Sequence, residues 1–259
     1  MSKRTAAARA FRLFCTPQYR NRKKIPKIFQ QAEPLSFSFE GSTVRGYRTR
    51  NASDKKLLIL HGFESSVINF DRYVKPAVAK GYQVLAFDAP AHGRSSGRMI
   101  NALIYKKLVQ QIVATYGPIQ TFIGHSLGGL ALGLTLEDLP HDASTKAVFI
   151  APATETPSAI DSFFRFLHLD ASVRKEFDRV IEEKSGHPPS WFSLRRIAPK
   201  LKAEVLWLHD RGDEMTPFAD VEPVMQLGLE NFRFITTEGL GHRRIYRDNK
   251  CSRAIVDFI

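Results

Sequence analysis

Cysteine is nearly absent: Cys15 and Cys251 are the only two in 259 residues. A disulfide framework is thereby excluded, and the usage fits a reducing, cytoplasmic setting. No Cys/His cluster has the spacing of a zinc site. Long apolar runs are missing too. Nothing approaches the roughly 18 uninterrupted apolar residues that a membrane-spanning helix needs. Arg9 and Arg12 break up the apolar residues near the start, which argues against a secretory leader. Internal repeats and low-complexity segments are absent. With 43% hydrophobic and 25% charged residues, the chain is neither disordered nor fibrous.

Acidic residues are scarce, 26 against 38 basic ones, for a net charge of +12. The excess is local. Residues 1–34 hold nine basic residues and one acid, Glu33, which leaves only +4 for the other 225 residues. The body is therefore mildly basic, and no nucleic acid partner is expected. The basic segment reads as a solvated surface helix. Weak contact of residues 1–30 with an anionic membrane surface is the alternative.

What is present has a clear rhythm. Residues 5–15 place Ala7, Phe11 and Phe14 at helical spacing, with Arg9 and Arg12 off that face and Pro17 as a stop. From Ser36 the period becomes two: Phe37 and Phe39 alternate with polar residues, Gly41-Ser42 turns, and 43–47 returns, which predicts a β-hairpin. Short apolar runs follow at 57–60, 84–87, 119–123, 147–150, 205–208 and 232–235. They lack alternation, as strands buried on both faces do. Helical stretches at 70–80, 101–116, 127–139, 218–227 and 243–258 lie between and after them. Strand–helix alternation predicts a mostly parallel sheet with helices on both faces. One connection, between residues 150 and 205, is far longer than a crossover needs. It contains helical patterns at 158–169 and 172–184, a breaker cluster at Gly186-His187-Pro188-Pro189, and a return segment at 191–201. An inserted helical cap is the reading.

Gly124-His125-Ser126-Leu127-Gly128 stands between a buried run and a helical stretch. A G-x-S-x-G sequence in that context is a sharp strand-to-helix turn that exposes its serine. A serine hydroxyl needs a base. Of eight histidines, His242 alone follows the last strand run and sits beside glycines, Gly239 and Gly241, that let it reach back over the sheet. A third group must orient the imidazole. Asp213 follows the run at 205–208; Asp210 and Glu214 are its rivals, and Asp210 reads as a turn residue beside Arg211-Gly212. A developing oxyanion needs two fixed donors. The Leu127 amide follows the nucleophile, and the Phe63 amide lies in the His61-Gly62-Phe63 loop after the run at 57–60.

These segments, with Asp88-Ala89-Pro90-Ala91-His92-Gly93-Arg94-Ser95-Ser96-Gly97, resemble the α/β-hydrolase superfamily in its serine-nucleophile, esterase- or lipase-like branch. The resemblance spans roughly residues 36–259. It implies an eight-stranded, mostly parallel sheet with a cap after the sixth strand. It implies a Ser126–His242–Asp213 triad, the Phe63 and Leu127 amides as oxyanion hole, and neither a metal nor an organic cofactor. The expected organisation is a basic helix and linker at 1–35, core at 36–152, cap at 153–203 and core again at 204–259. The expected reaction is hydrolysis of a small or medium carboxylic ester through an acyl-enzyme. A thioesterase, an amidase or peptidase, a C–C bond hydrolase and a non-catalytic binding protein are alternatives. Phe163, Phe164, Phe166 and Trp191 in the cap suggest a greasy acyl or aryl portion, although they equally suit packing of the cap.

Overall fold

The computed structural model describes residues 2–259. The eight strands are β1 (Glu33–Phe39), β2 (Ser42–Arg48), β3 (Lys56–Leu60), β4 (Gln83–Asp88), β5 (Thr121–His125), β6 (Lys146–Ile150), β7 (Glu204–Asp210) and β8 (Phe232–Thr237). They form one sheet in the order β1-β2-β4-β3-β5-β6-β7-β8. The hairpin β1–β2 and the β2–β4 pair are antiparallel, and every later pair is parallel. The sheet is that of an α/β-hydrolase fold. Pro34 lies in β1, an edge strand, where a missing N–H costs no ladder bond on the open side.

In the interior strands the apolar runs follow from burial on both faces, whereas the run at 232–235, expected to be covered in the same way, forms the edge strand β8, none of whose residues is fully buried. In β3, Leu58 and Leu60 enter one core layer while Leu57 and Ile59 enter the other, and all four are fully buried. The same split recurs in β6, with Ala147 and Phe149 on one side and Val148 and Ile150 on the other. Each large aliphatic side chain buried this way contributes about 1.5–3 kcal/mol.

The helices are α1 (Lys3–Phe14), α2 (Lys27–Gln30), α3 (Asp71–Ala79), α4 (Ala102–Tyr116), α5 (Leu127–Leu136), α6 (Thr156–Phe166), α7 (Ala171–Ser185), α8 (Leu194–Ile197), α9 (Glu222–Met225), α10 (Gly241–Arg244) and α11 (Asn249–Phe258). Two expected long helices are broken. The stretch 218–227 becomes a 3₁₀ turn and the short α9, where Pro223 in the first turn offers no amide. The stretch 243–258 splits into α10, a 3₁₀ turn and α11, because the Asp248 carboxylate accepts the Cys251 amide at 2.9 Å and starts a new helix.

Between β6 and β7 lie α6, α7 and α8. Asp170 caps α7 through the Ser172 amide at 2.6 Å, and Gly186, at φ +76°, ends it in the left-handed region that glycine tolerates. Helix α1 packs on this insertion. Phe11 and Phe14 meet Phe177 at ring-centroid distances of 6.1 and 5.8 Å, and Phe14 meets Phe163 at 5.1 Å. Arg4 pairs with Glu183 at 3.0 Å. Ala7, Ala10 and Phe11 are buried. So α1 is not solvated all round: its apolar stripe is covered, and the arginines off the stripe face outward.

Candidate active site

Ser126 follows β5 and precedes α5, with φ +54° and ψ −123°. Such a conformation is costly for a side-chain-bearing residue and persists only where the surroundings impose it. Here close backbone approaches impose it. A Cβ on Gly128 would lie 2.6 Å from the Leu60 and His61 carbonyl oxygens, and one on Gly124 would lie 2.9 Å from the Gly129 Cα. The Ser126 amide donates to the Ile150 carbonyl at 3.1 Å, and its carbonyl accepts the Gly129 and Ala153 amides at 2.9 and 3.1 Å. The hydroxyl therefore stands at the head of the sheet.

Asp213 and His242 meet there. His242 Nδ1 donates to Asp213 Oδ2 at 2.8 Å. The second aspartate oxygen accepts the Met215 and Thr216 amides, each at 2.9 Å, and the Thr216 hydroxyl donates to Oδ2 at 2.8 Å. Burial alone would raise the carboxyl's pKa. The hydrogen bond and charge of His242 and the Thr216 donors outweigh it and hold Asp213 below the usual aspartate range. Ser126 makes no hydrogen bond to His242 among the described residues. His125, the residue before the serine, contacts His242: its Nε2 donates to the His242 carbonyl at 3.1 Å, and the two rings lie 4.8 Å apart.

The amides of Phe63 and Leu127 have no hydrogen-bond partner among the described residues, as oxyanion donors require. The neighbouring amide, that of Glu64, is taken by His92 Nε2 at 2.9 Å. Of these two amides, the loop after β3 thus leaves Phe63's open. A Cβ on Gly62 would sit 2.8 Å from both His125 Nδ1 and Ser126 Cβ, so only glycine lets this loop come so near the serine.

Ser126, Phe63, Leu127 and Thr216 line a cavity of about 720 Å³. Its walls are mainly apolar; Glu64 and Lys184 are the charged side chains on it. Phe163 and Phe166 from α6 line it as well. Phe164 and Trp191 do not. Phe164 is buried against Phe177 with ring centroids 5.2 Å apart, and Trp191 is stacked on His187 at 4.0 Å.

Residues 57–250 match the model of the alpha/beta hydrolase family. The chain belongs to that family. It is 24% identical over 184 residues to methylesterase 3 of Arabidopsis thaliana, covering 65% of this chain and 67% of that protein. It is 28% identical over 172 residues to the probable esterase PIR7A of Oryza sativa subsp. indica, covering 62% and 63%. A third relative, the uncharacterized hydrolase YugF of Bacillus subtilis (strain 168), is 29% identical over 97 residues, covering 36% and 35%. The chain thus spans between 35% and 67% of the length of these relatives. The Pyrococcus furiosus esterase Pf2001 superposes with a TM-score of 0.67 at 21% identity, covering 93% of this chain and 95% of that one. Alpha/beta hydrolase domain-containing protein 10 from mouse does so at 0.63 and 17%, covering 87% and 96%. At these identities the likeness concerns the fold.

Several residues of this candidate site escaped the sequence reading. Asp210 is more than a turn residue: its Oδ1 accepts the Gly212 amide at 3.0 Å, while Oδ2 accepts the Leu240 amide at 2.9 Å and the Thr237 hydroxyl at 2.7 Å. It therefore braces the His242 loop. His92 and His125 brace the loops around Phe63 and His242. Burial lowers both rings to about 3, so they stay neutral and keep the donor and acceptor roles these contacts need. Nothing local marks them: His125 occupies a variable place in G-x-S-x-G, and His92 reads as one more loop residue. Glu214, the other rival of Asp213, is exposed.

Proposed function

We propose that this chain is a serine hydrolase that cleaves a carboxylic ester with an apolar acyl group, through an acyl-enzyme on Ser126. The observation that carries the reading is the 2.8 Å hydrogen bond from His242 Nδ1 to Asp213 Oδ2. It leaves Nε2 of the neutral imidazole as the acceptor, which is the tautomer a general base requires. The strained turn at Ser126 and the open Phe63 and Leu127 amides fit the remaining roles.

In this mechanism an ester carbonyl lies over Ser126 with its oxygen toward the two amides. His242 Nε2 closes on the serine hydroxyl as the substrate displaces water; such contacts tighten on binding. The hydroxyl oxygen bonds to the carbonyl carbon while His242 takes the proton, and the amides hold the negative oxygen. The C–O bond to the alcohol then breaks as His242 returns the proton to it. Water, deprotonated by the same ring, then bonds to the acyl carbon; the bond from that carbon to Ser126 Oγ breaks, His242 returns the proton to the serine oxygen, and the acid leaves. The apolar walls of the cavity support an acyl group over a charged one.

The test is turnover of p-nitrophenyl esters of increasing chain length by wild type and Ser126→Ala. The variant should lose activity by about 10⁴-fold or more. Activity that survives in Ser126→Ala would sink the nucleophile assignment. Turnover of thioesters or amides with none of esters would sink the substrate class and leave the nucleophile in place.

A further inference from the structure

Residues 3–21 lie outside the stretch that matches the family model, yet they reach the site from two sides. On one side, Phe11, Leu13, Phe14 and Cys15 form part of the cavity wall. Phe14 is held from behind by Phe163 and Phe177. Burial pushes the Cys15 thiol up to about 12, so it meets the cavity as a small neutral group.

On the other side the segment holds Glu64, the residue after Phe63. Glu64 Oε1 accepts the Gln18 amide at 2.7 Å and the Tyr19 amide at 3.2 Å. Glu64 itself has φ +53°, a conformation that needs outside support. Its amide is held by His92 and its carboxylate by the N-terminal segment. The segment is anchored in turn. Arg20 donates to the Ser95 and Gly97 carbonyls at 3.0 and 2.9 Å, and the Ile100 amide donates to the Cys15 carbonyl at 2.8 Å.

We propose that this segment is the specificity element of the site: α1 forms the wall that limits the acyl group, and Glu64 is a positioning residue that ties that wall to the Phe63 loop. The proposal rests on the serine-hydrolase reading above. A wall built by α1 sets which acyl length fits. A carboxylate that holds two amides grips more strongly than a neutral acceptor, because hydrogen bonds to charged groups are roughly twice as strong. Replacing Glu64 therefore loosens the loop that aims the Phe63 amide, and the loss falls on the transition state rather than on binding.

The test uses the full chain and two readouts. The first is kcat/KM on p-nitrophenyl butanoate and dodecanoate. Phe14→Ala should raise the dodecanoate-to-butanoate ratio by about 10-fold or more, since even one methylene in an apolar pocket is worth about 10-fold. Phe14→Leu should shift it the same way by less, and it replaces the alanine variant if that one does not fold. A ratio unchanged in folded variants overturns the wall. Glu64→Ala should lower kcat about 10-fold or more on both esters with KM little changed, and Glu64→Gln should fall between it and wild type. A Glu64→Ala variant that changes only the melting temperature overturns the tie to the loop. The second readout needs no turnover: displacement of a fluorescent fatty acid by saturated fatty acids of graded length. The preferred length should increase in Phe14→Ala. If wild type turns over no ester, that shift still upholds the wall while the ester reading falls; absence of binding, or an unmoved preference, overturns the wall.

Discussion

Asp213→Asn is the sharpest perturbation of the site, because the structure dictates which way the amide must turn. Asp213 Oδ1 accepts two backbone amides, from Met215 and Thr216, both at 2.9 Å. An asparagine NH₂ placed there would face two donors and leave both unmet, at about 1–3 kcal/mol each. The asparagine oxygen therefore takes the Oδ1 place, and its NH₂ takes that of Oδ2. That NH₂ then points at His242 Nδ1, 2.8 Å away in the native arrangement. Two donors cannot share one contact, so the ring moves its proton to Nε2 and Nδ1 becomes the acceptor. Nε2 can then no longer accept the Ser126 proton. A wrong tautomer in a Ser-His-Asp arrangement costs about 10⁴-fold in kcat, or about 5 kcal/mol of transition-state stabilisation. The assay is kcat and KM on one ester, with the melting temperature as a check on folding. KM should change little. Asp210→Asn is the control. It weakens the brace on the Leu240 amide but leaves His242 Nδ1 its carboxylate, so its loss should be far smaller. An Asp213→Asn variant within about 10-fold of wild type, or an Asp210→Asn variant that falls further, would refute the assignment.

Two further expectations follow from single contacts. Gly62→Ala places a Cβ 2.8 Å from Ser126 Cβ and from His125 Nδ1, so the Phe63 loop must retreat. Turnover should fall by about 10²–10³-fold, as for the loss of one oxyanion donor; full activity would remove Phe63 from that role. Glu137 joins the end of α5 to α8 through Arg196, at 2.5 and 2.7 Å, and to the 3₁₀ turn after α8 through Lys200, at 2.5 Å. The Arg196 hydrogen bonds, against a smaller opposing effect of burial and with help from Lys200, lower its pKa from 4.5 to about 2. A depressed carboxylate stabilises the fold above its unfolded pKa and loses that contribution as pH falls toward the folded value. Thermal melting of wild type should therefore weaken between about 4.5 and about 2 more steeply than that of Glu137→Gln; parallel curves would refute the pairing.

The legible parts of this molecule are those that local backbone physics controls. The buried strands announced themselves because a strand covered on both faces has no polar face to alternate. The turn at Ser126 was legible because its neighbours tolerate no side chain, which leaves glycine at 124 and 128. His242, picked out by its place after the last strand, lies 2.8 Å from Asp213. The braces were illegible for a related reason. Asp210 and Asp213 stand in one short loop, and only the fold decides which carboxylate meets the imidazole and which takes the Leu240 amide. Glu64 has partners 46 and 45 residues away, in a segment with no motif of its own. The N-terminal helix joins both cases. Its stripe of Ala7, Phe11 and Phe14 could be read from spacing, because helical periodicity is local. Its partner could not, because Phe163 and Phe177 lie about 150 residues further on, and a basic amphipathic helix suits water, a lipid surface or an aromatic cap equally well. What decided among these was the rings of α6 and α7. Once they cover the stripe, α1 becomes a wall of the cavity in front of Ser126. Charge count described the helix by its outer face, whereas its contribution to the site comes from the inner one.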